Sequence, residues 1–190
     1  MAELLLLHHI CGLTSGVVDL ADQWRAVGHT VHTPDLFDGH TFGTIEDGSQ
    51  YVESIGLDEV RARAVRAAER LPTELVYAGI SLGVMPAQEL ATTRPGTRGA
   101  VLLEAFVAPE WVGPWPEGVP VQVHGMDDDD FFAHDGDLDH AKALAASRDD
   151  VELFTYPGDA HLFEDRSLPS YDAEAAALLN RRVLAFLAQR

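Results

Sequence analysis

The run Leu75-Val76-Tyr77-Ala78-Gly79-Ile80-Ser81-Leu82-Gly83-Val84 decides the fold. Residues 75–80 are short and continuously apolar, which reads as a buried strand, and 84–91 follow at once with a helical pattern. Strand therefore becomes helix across Gly79-Ile80-Ser81-Leu82-Gly83, a G-x-S-x-G pattern. A turn that tight leaves no room for side chains flanking the serine, and the two glycines remove them. It lifts a hydroxyl above the sheet at a helix N-terminus, where backbone N–H groups point outward. A glycine-rich turn with no chemistry is the plainer reading of the same five residues. Their position straight after a strand is what favours a nucleophile.

Working outward, apolar strands alternate with helices along the whole chain. Strands are expected at 4–10, 30–33, 75–80, 100–103, 119–123 and 151–156, and helices at 16–27, 58–71, 84–91, 138–146 and 173–188. In the last helix Ala177, Leu178, Val183, Leu184 and Leu187 are the candidate core positions. Strands this apolar are buried on both faces. The expectation is therefore an α/β fold, a doubly wound and mainly parallel sheet of about six strands with helices on both faces. Residues 1–190 form one domain in this reading, with no repeat, linker or low-complexity tract. The irregular stretches 35–56 and 105–118 both follow strands, on the edge where open α/β sheets bind ligands. They carry Phe37, Phe42, Tyr51, Phe106, Trp111 and Trp115, which either pin long loops or wall a pocket.

Composition narrows the function. Thirteen basic against 31 acidic residues give a net charge of −18, which repels a phosphate backbone and argues against nucleic acid and anionic membranes. The single cysteine, Cys11, cannot form an internal disulfide. The leucine run at 4–7 has neither the basic flank nor the cleavage site of a signal peptide, so a cytoplasmic location is expected.

A serine hydroxyl needs a base, and the base needs an orienting group. Both candidates follow strand ends on the serine's own edge, in the order Ser…Asp…His. The fifth strand leads to Asp127, Asp128, Asp129 and Asp130, and the sixth to Pro157-Gly158-Asp159-Ala160-His161. His161 is set apart from His29, His32 and His40 by its place behind the last strand. His8 and His9 end the first strand near the same edge, where a structural role competes with lining the site. Seven aspartates between Asp127 and Asp139, with His134 and His140, raise the question of a metal. They show neither EF-hand nor zinc spacing, and a solvated acidic loop entering a helix accounts for them, so no metal is expected.

Together these segments resemble the dienelactone hydrolase family of α/β-hydrolases over nearly the whole chain. The resemblance is carried by His9-Ile10-Cys11-Gly12-Leu13, Thr33-Pro34-Asp35-Leu36-Phe37, the Ser81 turn, Val123-His124-Gly125 with Asp129-Asp130-Phe131-Phe132, and Tyr156-Pro157-Gly158-Asp159-Ala160-His161-Leu162-Phe163. It implies an α/β-hydrolase fold, here without the usual leading strands, and a cofactor-independent hydrolase of a small ester or lactone. It implies Ser81 as nucleophile, His161 as base and an aspartate of the 127–130 run as orienter. Asp129 is chosen because the family's aspartate is followed by one residue and an aromatic, with Asp128 as the alternative. Backbone N–H groups of Ile10 and Leu82 are expected to hold the oxyanion. Three departures stand out: serine replaces the family's elbow cysteine, His9 replaces a glutamate, and Leu162 replaces the glycine after the histidine. Cys11 reads as a small buried apolar residue. A binding or scaffold protein with a relic triad, an acyltransferase or haloperoxidase-like enzyme on this fold, and a calcium module on the acidic loop are the competing readings.

Overall fold

A computed structural model describes all of residues 1–190. The strands are β1 (Glu3–Leu7), β2 (Thr30–His32), β3 (Val76–Ile80), β4 (Gly99–Leu103), β5 (Val121–Met126) and β6 (Val151–Tyr156). They form one parallel sheet in the order β2-β1-β3-β4-β5-β6. The helices are α1 (Ser15–Ala26), α2 (Ile45–Ile55), α3 (Leu57–Glu69), α4 (Val84–Thr93), α5 (Pro109–Val112), α6 (Asp137–Ser147) and α7 (Ala173–Leu187). No helix is long and apolar enough to cross a membrane.

Alternation along the strands divides the core into two layers. In β1, Leu4 and Leu6 pack with Val17, Leu20 and Trp24 of α1 and with Leu179, Val183 and Phe186 of α7. Leu5 and Leu7 face the other way, towards Val60 and Ala64 of α3 and Ala87 and Leu90 of α4. Each fully buried side chain of this size stabilises the fold by roughly 1.5–3 kcal/mol, so both faces are firmly covered. The chain leaves β1 for β2 on one side and then returns to pair β3 on the other. That reversal opens the crevice beyond the ends of β1 and β3 where such folds bind ligands.

Several expected boundaries move, for identifiable reasons. β1 stops at Leu7, because its ladder ends where Leu7 meets Gly79 and the chain then turns out of the sheet. β5 begins at Val121, past the donor-less Pro120, and runs on to Met126 because β6 pairs with it as far as Tyr156. His124 and Gly125 are therefore strand residues. Two helices interrupt stretches read as irregular. Thr44 caps α2 by accepting the Asp47 N–H, and acidic residues occupy its first turn; Gly48 had masked the helix in the sequence. α5 is a single turn begun by Pro109. In α7 the buried stripe is Ala175, Ala176, Leu179, Val183, Phe186 and Leu187, rotated from the expected one, so Ala177 is exposed and Leu178 and Leu184 are half-buried.

Candidate active site

The Ser81 turn sits at the crevice between β1 and β3. Ser81 has φ 48°, a left-handed conformation that side chains other than glycine rarely adopt. A Cβ on Gly79 would run into the Gly83 carbonyl, and one on Gly83 into the Leu7 and His8 carbonyls. The glycines thus close the turn and let the start of α4 press against the end of β1.

Three side chains from separate strand ends meet there. The Ser81 Oγ lies 2.7 Å from His161 Nε2. On the far side of the ring, Nδ1 lies 2.6 Å from Asp129 Oδ2. The other Asp129 oxygen accepts the Phe131 N–H at 2.9 Å, which fixes the carboxylate in its turn. With the hydroxyl donating to Nε2, the ring proton sits on Nδ1 and donates to Asp129. Asp129 is 0% exposed, whereas Asp128 is on the surface against His134. The half-exposed Phe131 ring leans over the imidazole with centroids 4.7 Å apart.

Ile10 is in the loop after β1, and its N–H donates to no protein acceptor. Leu82 is in the tight turn that opens α4. His8 and His9 directly precede Ile10 and are both fully buried. His8 gives its Nδ1–H to the His9 carbonyl and takes the Leu36 N–H on Nε2, and burial lowers its pKa to about 4. His9 takes the Cys11 N–H on Nδ1 and gives its Nε2–H to Asp165 at 2.8 Å. Both histidines therefore hold the loop and do not line the cleft. Burial raises the Cys11 thiol to about 11, helped by Asp165 and Asp47, so it stays protonated.

A cleft of about 340 Å³ opens beside His161, walled by Cys11, Thr44, Ile45, Phe131 and Leu168. Its charged residues are Asp129, Asp130 and Asp159, with no lysine or arginine. A second cleft of about 370 Å³ holds Met85, Trp111, Asp135, Asp137 and His140. Of the loop aromatics, Phe37, Phe106 and Trp115 are buried pins, whereas Trp111 is 83% exposed. The aspartate run is spread over separate tasks. Asp127 accepts the Gly158 N–H, Asp128 pairs with His134, Asp137 accepts the Phe106 N–H and Asp139 meets Lys142. No three acidic, histidine or cysteine side chains gather as a metal-binding group.

The sequence model of the dienelactone hydrolase family matches residues 3–190. The chain belongs to the dienelactone hydrolase family. A comparison with curated protein sequences finds no match. Among solved structures, the chain resembles one from Klebsiella pneumoniae subsp. pneumoniae MGH 78578 assigned as a dienelactone hydrolase. The TM-score is 0.75 at 20% identity, covering 100% of this chain and 88% of that one. It also resembles the dienelactone hydrolase-like promiscuous phosphotriesterase P91 from metagenomic libraries, at TM-score 0.76 and 17% identity, covering 100% and 86%. The esterase domain of a Rhodothermus marinus protein matches at TM-score 0.62 and 15% identity, covering 99% and 87%. At these identities the structural likeness speaks for the α/β-hydrolase fold, and the family match makes the chain a member of a hydrolase family.

Two residues of this dienelactone hydrolase family member went unread in the sequence. Asp165, four residues past His161, binds His9 and the Thr14 hydroxyl and so ties the loop after β1 to the start of α1. Burial pushes its carboxyl up, but hydrogen bonds from His9, Ser167 and Thr14 outweigh this and hold it at about 2. Glu104, directly after β4, accepts the Leu162 and Phe163 N–H groups. A carboxyl placed directly after a wholly apolar strand, on the edge carrying Ser81, was the available signal for it.

Proposed function

We propose that this chain is a serine hydrolase that cleaves small esters or lactones. The observation that carries the reading is the unbroken line from Ser81 through His161 to Asp129, built on a serine held at φ 48°. His161 Nε2 takes the Ser81 proton as Oγ attacks the carbonyl carbon. Asp129 keeps the ring in the required tautomer and stabilises its positive form. The Ile10 and Leu82 N–H groups receive the oxyanion, a contribution worth about 10²–10³ in rate for each donor. His161 then protonates the leaving alcohol and activates a water molecule, which releases the acid and restores Ser81. Every step uses only this chain's groups and water. Serine at the nucleophile position favours ordinary esters over dienelactone.

The cleft walls favour an uncharged or cationic substrate. A carboxylate in the substrate would approach Asp130 and Asp159 with no cation beside it. Near water such a contact costs about 1 kcal/mol at 4 Å.

The test is intact mass after incubation with a fluorophosphonate, comparing wild type with Ser81→Ala. One adduct on the wild type and none on the variant is expected. A folded wild-type protein that takes no adduct would overturn the reading in favour of a scaffold with a relic triad. Once an adduct is found, adding alcohols as competing acceptors separates hydrolysis from acyl transfer.

A further inference from the structure

Glu104 and Glu164 are buried carboxyl groups that the proposed chemistry leaves unused. Glu104 is 1% exposed and has left-handed backbone, φ 61°. Its oxygens accept two different N–H groups, Leu162 at 2.7 Å and Phe163 at 3.0 Å. These are the two residues that follow His161, and Leu162 is itself left-handed, φ 63°. One carboxylate therefore ties together two strained backbones and bends the chain sharply just past the imidazole. The next residue, Glu164, is 5% exposed, and neither of its oxygens receives an N–H or hydroxyl donor. It lies beside Glu104.

A buried polar group without a partner calls for an explanation. Two carboxyl groups this close in an apolar interior resist being ionised together. Burial raises both, and the Glu164 charge adds to the rise at Glu104, which goes well above the ordinary range. At Glu164 the contact with Glu104 lowers the value and Asp165 and Asp129 raise it, leaving it at about 7. The acceptor geometry of Glu104 nevertheless favours the carboxylate there, because each oxygen takes an N–H donor and a carboxylate accepts better than a neutral carboxyl. The remaining proton then belongs on Glu164.

We propose that Glu104 and Glu164 hold one proton between them, that this pair positions His161 against Ser81, and that giving up the proton slackens the His161 loop. The step is a simple ionisation: the O–H bond of the Glu164 carboxyl breaks, its electron pair stays on oxygen, and the proton goes to water. The buried pair then carries two negative charges beneath residues 162 and 163. Other charged groups face the same region. Asp129 comes from the loop after β5, and Asp165 follows Glu164 and carries His9 from the loop after β1. Asp19 of α1 and Arg166 pair with each other at the outer edge of Glu164. No lysine or arginine forms a salt bridge with either glutamate. The surroundings are thus mostly negative and make a second charge harder to hold. Glu104 and Glu164 are positioning residues, and their effect on rate rests on the hydrolase reading above.

The test measures kcat and KM against pH for wild type, Glu104→Gln and Glu164→Gln, using a neutral 4-nitrophenyl ester. It also follows the far-downfield proton resonance of His161 Nδ1–H, which needs no turnover. Glu164→Gln cannot ionise, so its alkaline limb should move up by about one pH unit or more. Its imidazole resonance should survive to higher pH than in the wild type. Glu104→Gln keeps only one acceptor oxygen and should lose about 10–100-fold in kcat at every pH, with little change in KM. The idea is wrong if Glu164→Gln superimposes on the wild type in both profile and resonance, or if a folded Glu104→Gln matches wild-type kcat. Should Glu104→Gln fail to fold, the Glu164→Gln comparison decides alone. An unlabelled Ser81 under fluorophosphonate would instead overturn the hydrolase reading, and the resonance would still decide the carboxyl pair.

Discussion

Two loops face each other across Ser81, and opposite chemistry holds them. Residues 8–12 after β1 are anchored by imidazoles that accept backbone N–H groups, Leu36 on His8 Nε2 and Cys11 on His9 Nδ1. Residues 159–165 after β6 are anchored by carboxylates, Asp129 on His161 and Glu104 on Leu162 and Phe163. Asp165 joins the two, lying at the end of the second loop and accepting from His9 in the first. The His8 anchor of the first loop fails on gaining a proton, and the carboxyl pair of the second fails on losing one. A site clamped from both sides is a site with two pH limits.

The harshest way to break this comparison is at the carboxylate side. Asp129→Asn should lower kcat by about 10⁴, because the imidazole is then held in the wrong tautomer. Steady-state rates on a short ester, with folding checked by circular dichroism, would show it, and a loss under tenfold would refute the role given to Asp129. Acid should break the imidazole side. His8 binds its proton at about 4 in the fold against 6.5 when unfolded, and His124, buried between strands, at about 3. The unfolded chain takes up protons first, so stability is fully present above pH 6.5 and falls as pH drops towards 4. At about 1.4 kcal/mol for each tenfold change in proton affinity, His8 alone withdraws about 3 kcal/mol. Glu164 acts in the opposite sense. Its folded value of about 7 exceeds the ordinary 4.5, so its contribution falls as pH rises through that window. Urea melts from pH 4 to 8 should therefore show a steeper climb in Glu164→Gln than in wild type.

Cutting the link between the loops should have a middling effect. Asp165→Asn is expected to cost about 2 kcal/mol, since a buried hydrogen-bonding network loses its charged acceptor. Chemical denaturation would measure it, and labelling of Ser81 should slow with it as the Ile10 loop loosens. The smallest effect belongs to the cleft rim. Asp159→Asn should raise kcat/KM for a mono-4-nitrophenyl glutarate by a few-fold at low salt, and the gain should fade at high salt. No change for the anionic ester would sink the charge argument for substrate choice.

The parallel sheet and the meeting of Ser81, Asp129 and His161 rest on local signals. The five residues Gly79–Gly83 mark the turn, and strand ends in a parallel sheet necessarily share an edge. What stayed hidden depends on partners remote in sequence. The place of Glu104 at a strand end marks it out, but its partners stay hidden, because the N–H groups it receives belong to residues 58 and 59 positions away. Asp165 reads as an ordinary loop aspartate until His9, 156 residues earlier, is placed against it. α2 was obscured locally, because Gly48 breaks a helical pattern yet is required where the Ile10 carbonyl approaches.

Ser81 is held at φ 48° while every other function of the turn is met by the glycines around it. A left-handed residue with a side chain carries about 1–2 kcal/mol that glycine would not. Ser81→Gly should therefore abolish labelling and raise the melting temperature together, whereas Ser81→Ala should abolish labelling without that relief. Selection for durability alone would draw this position towards glycine, so the serine's persistence in a lineage would itself record continued use of the reaction.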